Sequence, residues 1–167
     1  MSKVIVIGPP GSGKTYLSEK LKEKGYPAYD SDKVEGLFYW STKDGKQIIK
    51  PDNSNIDWYK NHKFMWHRNF LEDFLADKKD LFLFGFSENV YEMIDLFDKA
   101  FYLYLPEEKV NERLVNPARN NDFGKKSDER DEVAKWLPSV HEEAKQHGLT
   151  FIDSTLTVEQ IEKKIVG

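Results

Sequence analysis

Short apolar runs alternate with longer amphipathic ones along this chain, a pattern that predicts βα units wound around a parallel sheet. Val4-Ile5-Val6-Ile7 is a continuous β-branched run, as a strand buried on both faces requires. Residues 15–24 predict a helix. Leu17 and Leu21 share one face, lysines and glutamates the other, and Gly25 ends it. Residues 26–29 predict a short second strand. Leu81-Phe82-Leu83-Phe84 predicts a third, residues 100–105 a fourth that Pro106 terminates, and Phe151-Ile152-Asp153 a fifth. Further helices are expected at 90–97, 107–114 and 158–166. Another is expected from Ser127, as its cap, to about His147 with a bend at Pro138.

The stretch between the second and third strands is less regular. Lys43-Asp44-Gly45-Lys46 reads as a turn joining Phe38-Tyr39-Trp40 to Gln47-Ile48-Ile49 in a hairpin. Asp52-Asn53-Ser54-Asn55 marks a loop. Residues 56–77 are then expected to form one helix, because Phe64, Leu71 and Leu75 fall on one face with Phe70 and Phe74 beside it. Residues 116–126 are polar, contain Pro117 and Gly124, and read as a loop.

Composition narrows the class. The chain has 167 residues, enough for one domain with a sizeable core. Cysteine is absent, so disulfides and thiol-ligated zinc are excluded. No long apolar run suggests a membrane span, and the N-terminus lacks a signal pattern, so a cytoplasmic location is expected. A net charge of -4 argues against a nucleic-acid partner or an anionic membrane surface. Aromatics are plentiful: 4 Trp, 8 Tyr and 11 Phe. They either build the core or line a pocket.

The sharpest chemical signal is Gly8-Pro9-Pro10-Gly11-Ser12-Gly13-Lys14-Thr15, which fits G-x-x-x-x-G-K-[ST] between a buried strand and an amphipathic helix. Such a loop turns backbone N–H groups toward phosphate oxygens, and the helix N-terminus adds its positive end. Gly8, Gly11, Ser12, Gly13, Lys14, Thr15 and Tyr16 form the expected nucleotide-binding set. Lys14 would reach the β- and γ-phosphates of ATP, and Thr15 would ligate Mg²⁺. After the third strand the chain has Phe84-Gly85-Phe86-Ser87-Glu88-Asn89, neither the D-x-x-G of a GTPase nor the acidic pair of a simple ATPase. Asp30-Ser31-Asp32 ends the second strand, at the sheet edge where ligands bind in such folds. One carboxylate can hold magnesium-bound water while the other orients or deprotonates an acceptor hydroxyl. The alternative is a turn that caps the next helix.

These motifs resemble shikimate kinase and the nucleoside-monophosphate-kinase-like small kinases. The resemblance implies a three-layer α/β P-loop NTPase fold with a five-stranded parallel sheet in the order 2-3-1-4-5, helices on both faces and a small lid. It makes the chain one domain, with an acceptor-binding insert at about 33–80 and a lid at about 115–130. It assigns Mg²⁺ to Asp30 and the substrate hydroxyl to Asp32. Shikimate kinases follow strand three with a substrate-binding glycine triplet. Here only Gly85 matches, which removes much of the case for shikimate itself. The nearest counterpart of their substrate-carboxylate arginine is Arg68, which otherwise reads as a solvated helix residue. The later region also resembles bacterial P-loop proteins grouped with AAA-type ATPases or kinases, through Leu96-Phe97-Asp98, Arg113, the run from Arg119 to Lys125, and Glu129-Arg130. In the related kinases lid arginines meet the nucleotide. This implies Arg113 at the base and Arg119 at the transferring phosphate, against a solvated basic patch as the alternative. Asp153 would then lie where the adenine passes.

The leading expectation is therefore a P-loop kinase with Lys14, Asp32 and Arg119 as catalytic residues. It would use ATP and Mg²⁺ on a small-molecule acceptor, nucleosides and nucleotides first because of the aromatic insert. A kinase of nucleic-acid 5′ ends and a non-catalytic ATP or GTP sensor are the alternatives. The acceptor, the preferred base and the oligomeric state are not written in the sequence.

Overall fold

The computed structural model describes residues 2–117 and 123–167. Its centre is a parallel sheet of β1 (Lys3–Ile7), β2 (Ala28–Asp30), β6 (Leu81–Gly85), β7 (Lys99–Tyr104) and β8 (Thr150–Asp153). The strands lie in the order β2-β6-β1-β7-β8. Numbering the parallel strands alone along the chain, this is the expected 2-3-1-4-5.

Strand alternation assigns the two faces. Ile5, Ile7, Leu83 and Tyr102 enter one apolar cluster, and Val4, Val6, Phe84 and Leu103 enter the other. Both faces are covered, which is why these strands read as unbroken apolar runs. Leu17 and Leu21 of α1 (Lys14–Glu23) and Ile161 and Ile165 of α6 (Val158–Val166) close the second cluster. Thr157 opens α6 with a capping box, its hydroxyl accepting from Gln160 N and the Gln160 side chain from Thr157 N.

The span 56–77 is not one helix. It divides into α2 (Ile56–Asn61), β5 (His62–Trp66) and α3 (Arg68–Ala76). β5 pairs antiparallel with β3 (Phe38–Thr42), which also pairs with β4 (Gln47–Ile48), so the expected hairpin gains a third strand. The cause is cross-strand packing. Phe38 faces Trp66 and Trp40 faces Phe64 in the β3–β5 register, and facing aromatic pairs stabilise antiparallel strands by about 0.2–1 kcal/mol each. The 3.6-residue spacing of Phe64, Leu71 and Leu75 is outweighed by this two-residue alternation.

Residues 90–96 form a 3-10 helix, and a 3-10 turn at 107–109 precedes α4 (Val110–Leu114). α5 (Ser127–Gln146) contains Pro138. Its cap position belongs to Lys126 rather than Ser127, with no side-chain cap bond. The buried Glu129 carboxylate instead accepts the Gly124 N–H at 3.0 Å. Among the described residues no helix is long and apolar enough to cross a membrane.

One pair, a buried tyrosine and a half-buried histidine, couples α5 to the sheet. The His141 Nε2–H donates to the Leu105 carbonyl at 3.1 Å, so Nδ1 accepts the Tyr102 hydroxyl at 2.5 Å. That arrangement needs a neutral ring. Burial pushes the His141 pKa below its ordinary value, against an opposing bond to Leu105 and the charge of Glu107. A depressed histidine stabilises the fold fully above its unfolded pKa of about 6.5 and loses that contribution as the pH falls from there through the lower folded value. Wild type should therefore lose more stability than His141→Gln between about pH 7.5 and 5, read as urea midpoints. Parallel pH profiles would contradict this linkage.

Candidate active site

The strand β1 delivers the loop 8–13 to the N-terminus of α1. Gly11 and Gly13 take φ of 85° and 97°, a region that favours glycine, and Gly13 occupies the helix cap position. Ser12 is buried and its N–H donates to the Pro9 carbonyl at 3.2 Å. The Lys14 ammonium folds over this loop, with Nζ 2.5 Å from Gly8 O, 2.9 Å from Pro9 O and 3.5 Å from Ser12 Oγ. Tyr16 turns away: it is exposed, with Lys20 Nζ 5.6 Å from its ring centre.

The two motifs meet at the C-terminal edge of the sheet. The Thr15 hydroxyl donates to Asp30 Oδ2 at 3.0 Å, and the other Asp30 oxygen accepts the Asp32 N–H at 3.0 Å. Asp30 thus caps the 3-10 turn at 31–33 and faces the loop at the same time. The capping reading of this aspartate holds, and its other oxygen lies against the phosphate-loop threonine. The Thr15 proton is spent on Asp30, which leaves the hydroxyl lone pairs for a cation. Among the described residues no cluster of three or more histidines or carboxylates could hold a metal. One carboxylate and one hydroxyl fit Mg²⁺, which is usually completed by water and phosphate oxygens.

Asp32 is exposed, yet the surrounding chain strips part of its water. That partial loss of water raises its pKa, the neighbouring Asp30 raises it further, and Lys14 opposes both. A carboxylate so placed can accept a proton or a hydrogen bond from a hydroxyl in the cleft.

Gly85 ends β6 beside this motif, and its missing side chain is filled. A Cβ there would lie 1.9 Å from Ser31 Oγ and 2.9 Å from Trp66 Cζ2. Ser31, between the two aspartates, is fully buried, and Trp66 is 1% exposed. Ser31 is a residue that sequence reasoning passed over, since its partner is 54 positions away and only the fold brings them together. Gly85→Ala should cost about 1–3 kcal/mol from overpacking and should lower any activity more than the stability loss explains. Urea unfolding beside turnover checks this, and a variant with unchanged activity would show that the aspartates do not depend on the wedge.

Arg113 stands at the other end of the loop. Its Nη2 donates to the Ser154 carbonyl at 2.8 Å, and a Cβ on Gly13 would lie 3.5 Å from its Nη1. The Asp153 carboxylate accepts from the hydroxyl and the N–H of Thr155, which hold its pKa low with help from Arg113. The fold therefore brings Gly13, Arg113 and Asp153–Ser154 together. Leu114, also unremarked in the sequence, fills the space that Gly11 and Gly124 leave: added Cβ atoms would lie 3.1 and 2.8 Å from its Cδ2. Arg119 lies outside the described residues.

Arg68 is committed within the chain. Nε meets Glu72 at 2.9 Å, while Nη1 and Nη2 meet Asp95 at 3.0 and 2.7 Å. These partners, Asp95 foremost, raise its pKa further.

The aromatic excess is mostly packed ring on ring. Trp40 touches Trp58, Tyr59 and Phe64, with ring centres 5.0–5.7 Å apart. Tyr59 meets Phe123 at 4.9 Å, and Phe123 stacks on Trp136 of α5 at 5.9 Å. Lys60 pairs with Glu132 at 3.8 Å, a second tie between α2 and α5.

Comparison with known proteins supplies the wider setting. The chain resembles a shikimate kinase from Acinetobacter baumannii in complex with shikimate, with a TM-score of 0.65 and 18% identity over 99% of this chain and 91% of that one. It also resembles a deoxyadenosine kinase from M. mycoides with bound dATP, with a TM-score of 0.54 and 14% identity over 100% of both chains. A gluconokinase from Sinorhizobium meliloti 1021 gives 0.54 and 16% over 98% and 88%. Identities this low speak for the fold alone. No curated protein matches by sequence. The sequence pattern described as the AAA domain matches residues 4–137. The chain belongs to that AAA domain family, in its P-loop form.

Proposed function

We propose that this protein is an Mg·ATP-dependent phosphotransferase that moves the γ-phosphoryl group onto a hydroxyl or phosphate of a small metabolite, nucleosides and nucleotides foremost. The observation that carries the reading is the division of labour at Asp30 and Asp32. Asp30 is tied to the Thr15 hydroxyl, and Asp32, two residues on, is exposed. A simple nucleotide sensor has no use for the second carboxylate.

Each residue then has a role. The loop amides and Lys14 bind the phosphates and offset the charge of transfer. Thr15 and Asp30 would hold Mg²⁺, which neutralises phosphate charge when bound. Asp32 orients the acceptor hydroxyl and takes its proton. Arg113 and the backbone at Ser154 flank the nucleotide base. Arg119 would supply the cation at the transferring phosphate. The insert at about 33–80 holds the acceptor, and the lid at about 115–130 excludes water.

The experiment is ADP release from Mg·ATP against a panel of nucleosides, nucleotides, sugars and polyols. Release that depends on one acceptor class supports the reading. Tight nucleotide binding with no acceptor-dependent release across the panel would replace it with the sensor.

A further inference from the structure

Charge is distributed unevenly between the insert and the rest of the molecule. Residues 38–67 hold five lysines against three aspartates, a net of +2 in a chain whose total is -4. Elsewhere the described lysines commonly find carboxylates, as in Lys20–Glu23, Lys24–Glu162, Lys33–Glu19 and Lys109–Glu112. Among the described residues Lys43, Lys46, Lys50 and Lys63 form no ion pair.

Lys50 is the best placed of the four. Its Nζ lies 5.4 Å from the Tyr59 ring centre and 6.0 Å from that of Trp58, and among the described residues its hydrogen bond is a long 3.5 Å contact to the Pro51 carbonyl. The side chain is half-buried. An ammonium held over two rings keeps donors for an anion and costs less entropy to fix than a solvated lysine. The same corner connects to the nucleotide loop through packed neighbours. Tyr59 meets Phe123, the adjacent Gly124 rests on Leu114, and Leu114 rests on Gly11.

We infer that Lys50, with Trp58 and Tyr59, forms a subsite for the phosphate of a nucleotide acceptor. The inference rests on the acceptor reading of the insert. The rings fix the ammonium in place, with Trp58 itself stacked on His62 at 4.1 Å, and the ammonium meets a phosphate as a point charge. A neutral polyol would not use that charge.

The test is binding, with the nucleotide loop saturated by Mg·ADP. AMP, CMP, GMP and UMP are titrated against their nucleosides, and tryptophan emission is read, since Trp58 is at the site. The 5′-monophosphates should bind about 10-fold or more tightly than the nucleosides. Lys50→Gln should bring that ratio close to one while leaving nucleoside affinity and Mg·ADP binding unchanged. Equal affinities in wild type would overturn the subsite, as would an unaltered ratio in Lys50→Gln. Tighter binding of a single-stranded oligonucleotide than of any mononucleotide would overturn it in favour of a strand-end ligand. Phosphate-dependent binding without turnover would leave the subsite standing and remove the kinase reading. Turnover of unphosphorylated acceptors alone would do the reverse.

Discussion

Lys14→Ala is expected to lower nucleotide turnover by about 10³-fold or more while the folded structure survives. The ammonium bonds to its own loop at Gly8, Pro9 and Ser12. None of the three apolar clusters depends on it. Its chemical weight lies with the phosphates, where a cation meets charge that builds as the γ-phosphoryl group departs. Far-ultraviolet circular dichroism and urea unfolding should match wild type, and kcat should collapse. Wild-type kcat in the variant would remove the loop from catalysis.

Asp32→Asn is expected to reduce kcat by about 10²–10⁴-fold, the range for losing a positioned acid–base group, with KM for ATP nearly unchanged. The amide keeps the shape but cannot take a proton. Asp30→Asn should behave differently, because Asp30 accepts both the Thr15 hydroxyl and the Asp32 N–H. Its loss should raise the magnesium concentration needed for half-maximal activity. The split between the two variants is the informative quantity. If Asp32→Asn altered only KM for ATP, Asp32 would belong to the nucleotide and not to the acceptor.

Much of the central sheet was legible before any coordinates, since residues buried on both faces leave unbroken apolar runs. The phosphate loop was legible because its chemistry is local: eight consecutive residues between a strand and a helix. The Asp30–Asp32 pair was legible from its place at the end of a strand. β5 was not, because Phe64 satisfies both a helical spacing with Leu71 and a strand spacing with Trp66. Only its pairing with β3, more than twenty residues earlier, decides between them. The Gly85–Ser31–Trp66 wedge and the seat of Leu114 between two glycines were hidden for the same reason. They join distant residues by shape, and shape complementarity leaves no mark in a linear pattern.

The aromatic insert had two open readings, core building or pocket lining. Ring-on-ring contacts account for Trp40, Phe64 and Tyr59, and burial accounts for Trp66. Lys50, one of four insert lysines that form no ion pair among the described residues, stands over Trp58 and Tyr59.

On this mechanism the γ-phosphoryl group leaves ATP for an acceptor held at Asp32. The most direct measurement follows γ-labelled ATP through a single turnover with the best acceptor and separates the labelled products. Label should appear on the acceptor and be lost together with kcat in Asp32→Asn. Label recovered only as inorganic phosphate, at a rate indifferent to the acceptor, would contradict it.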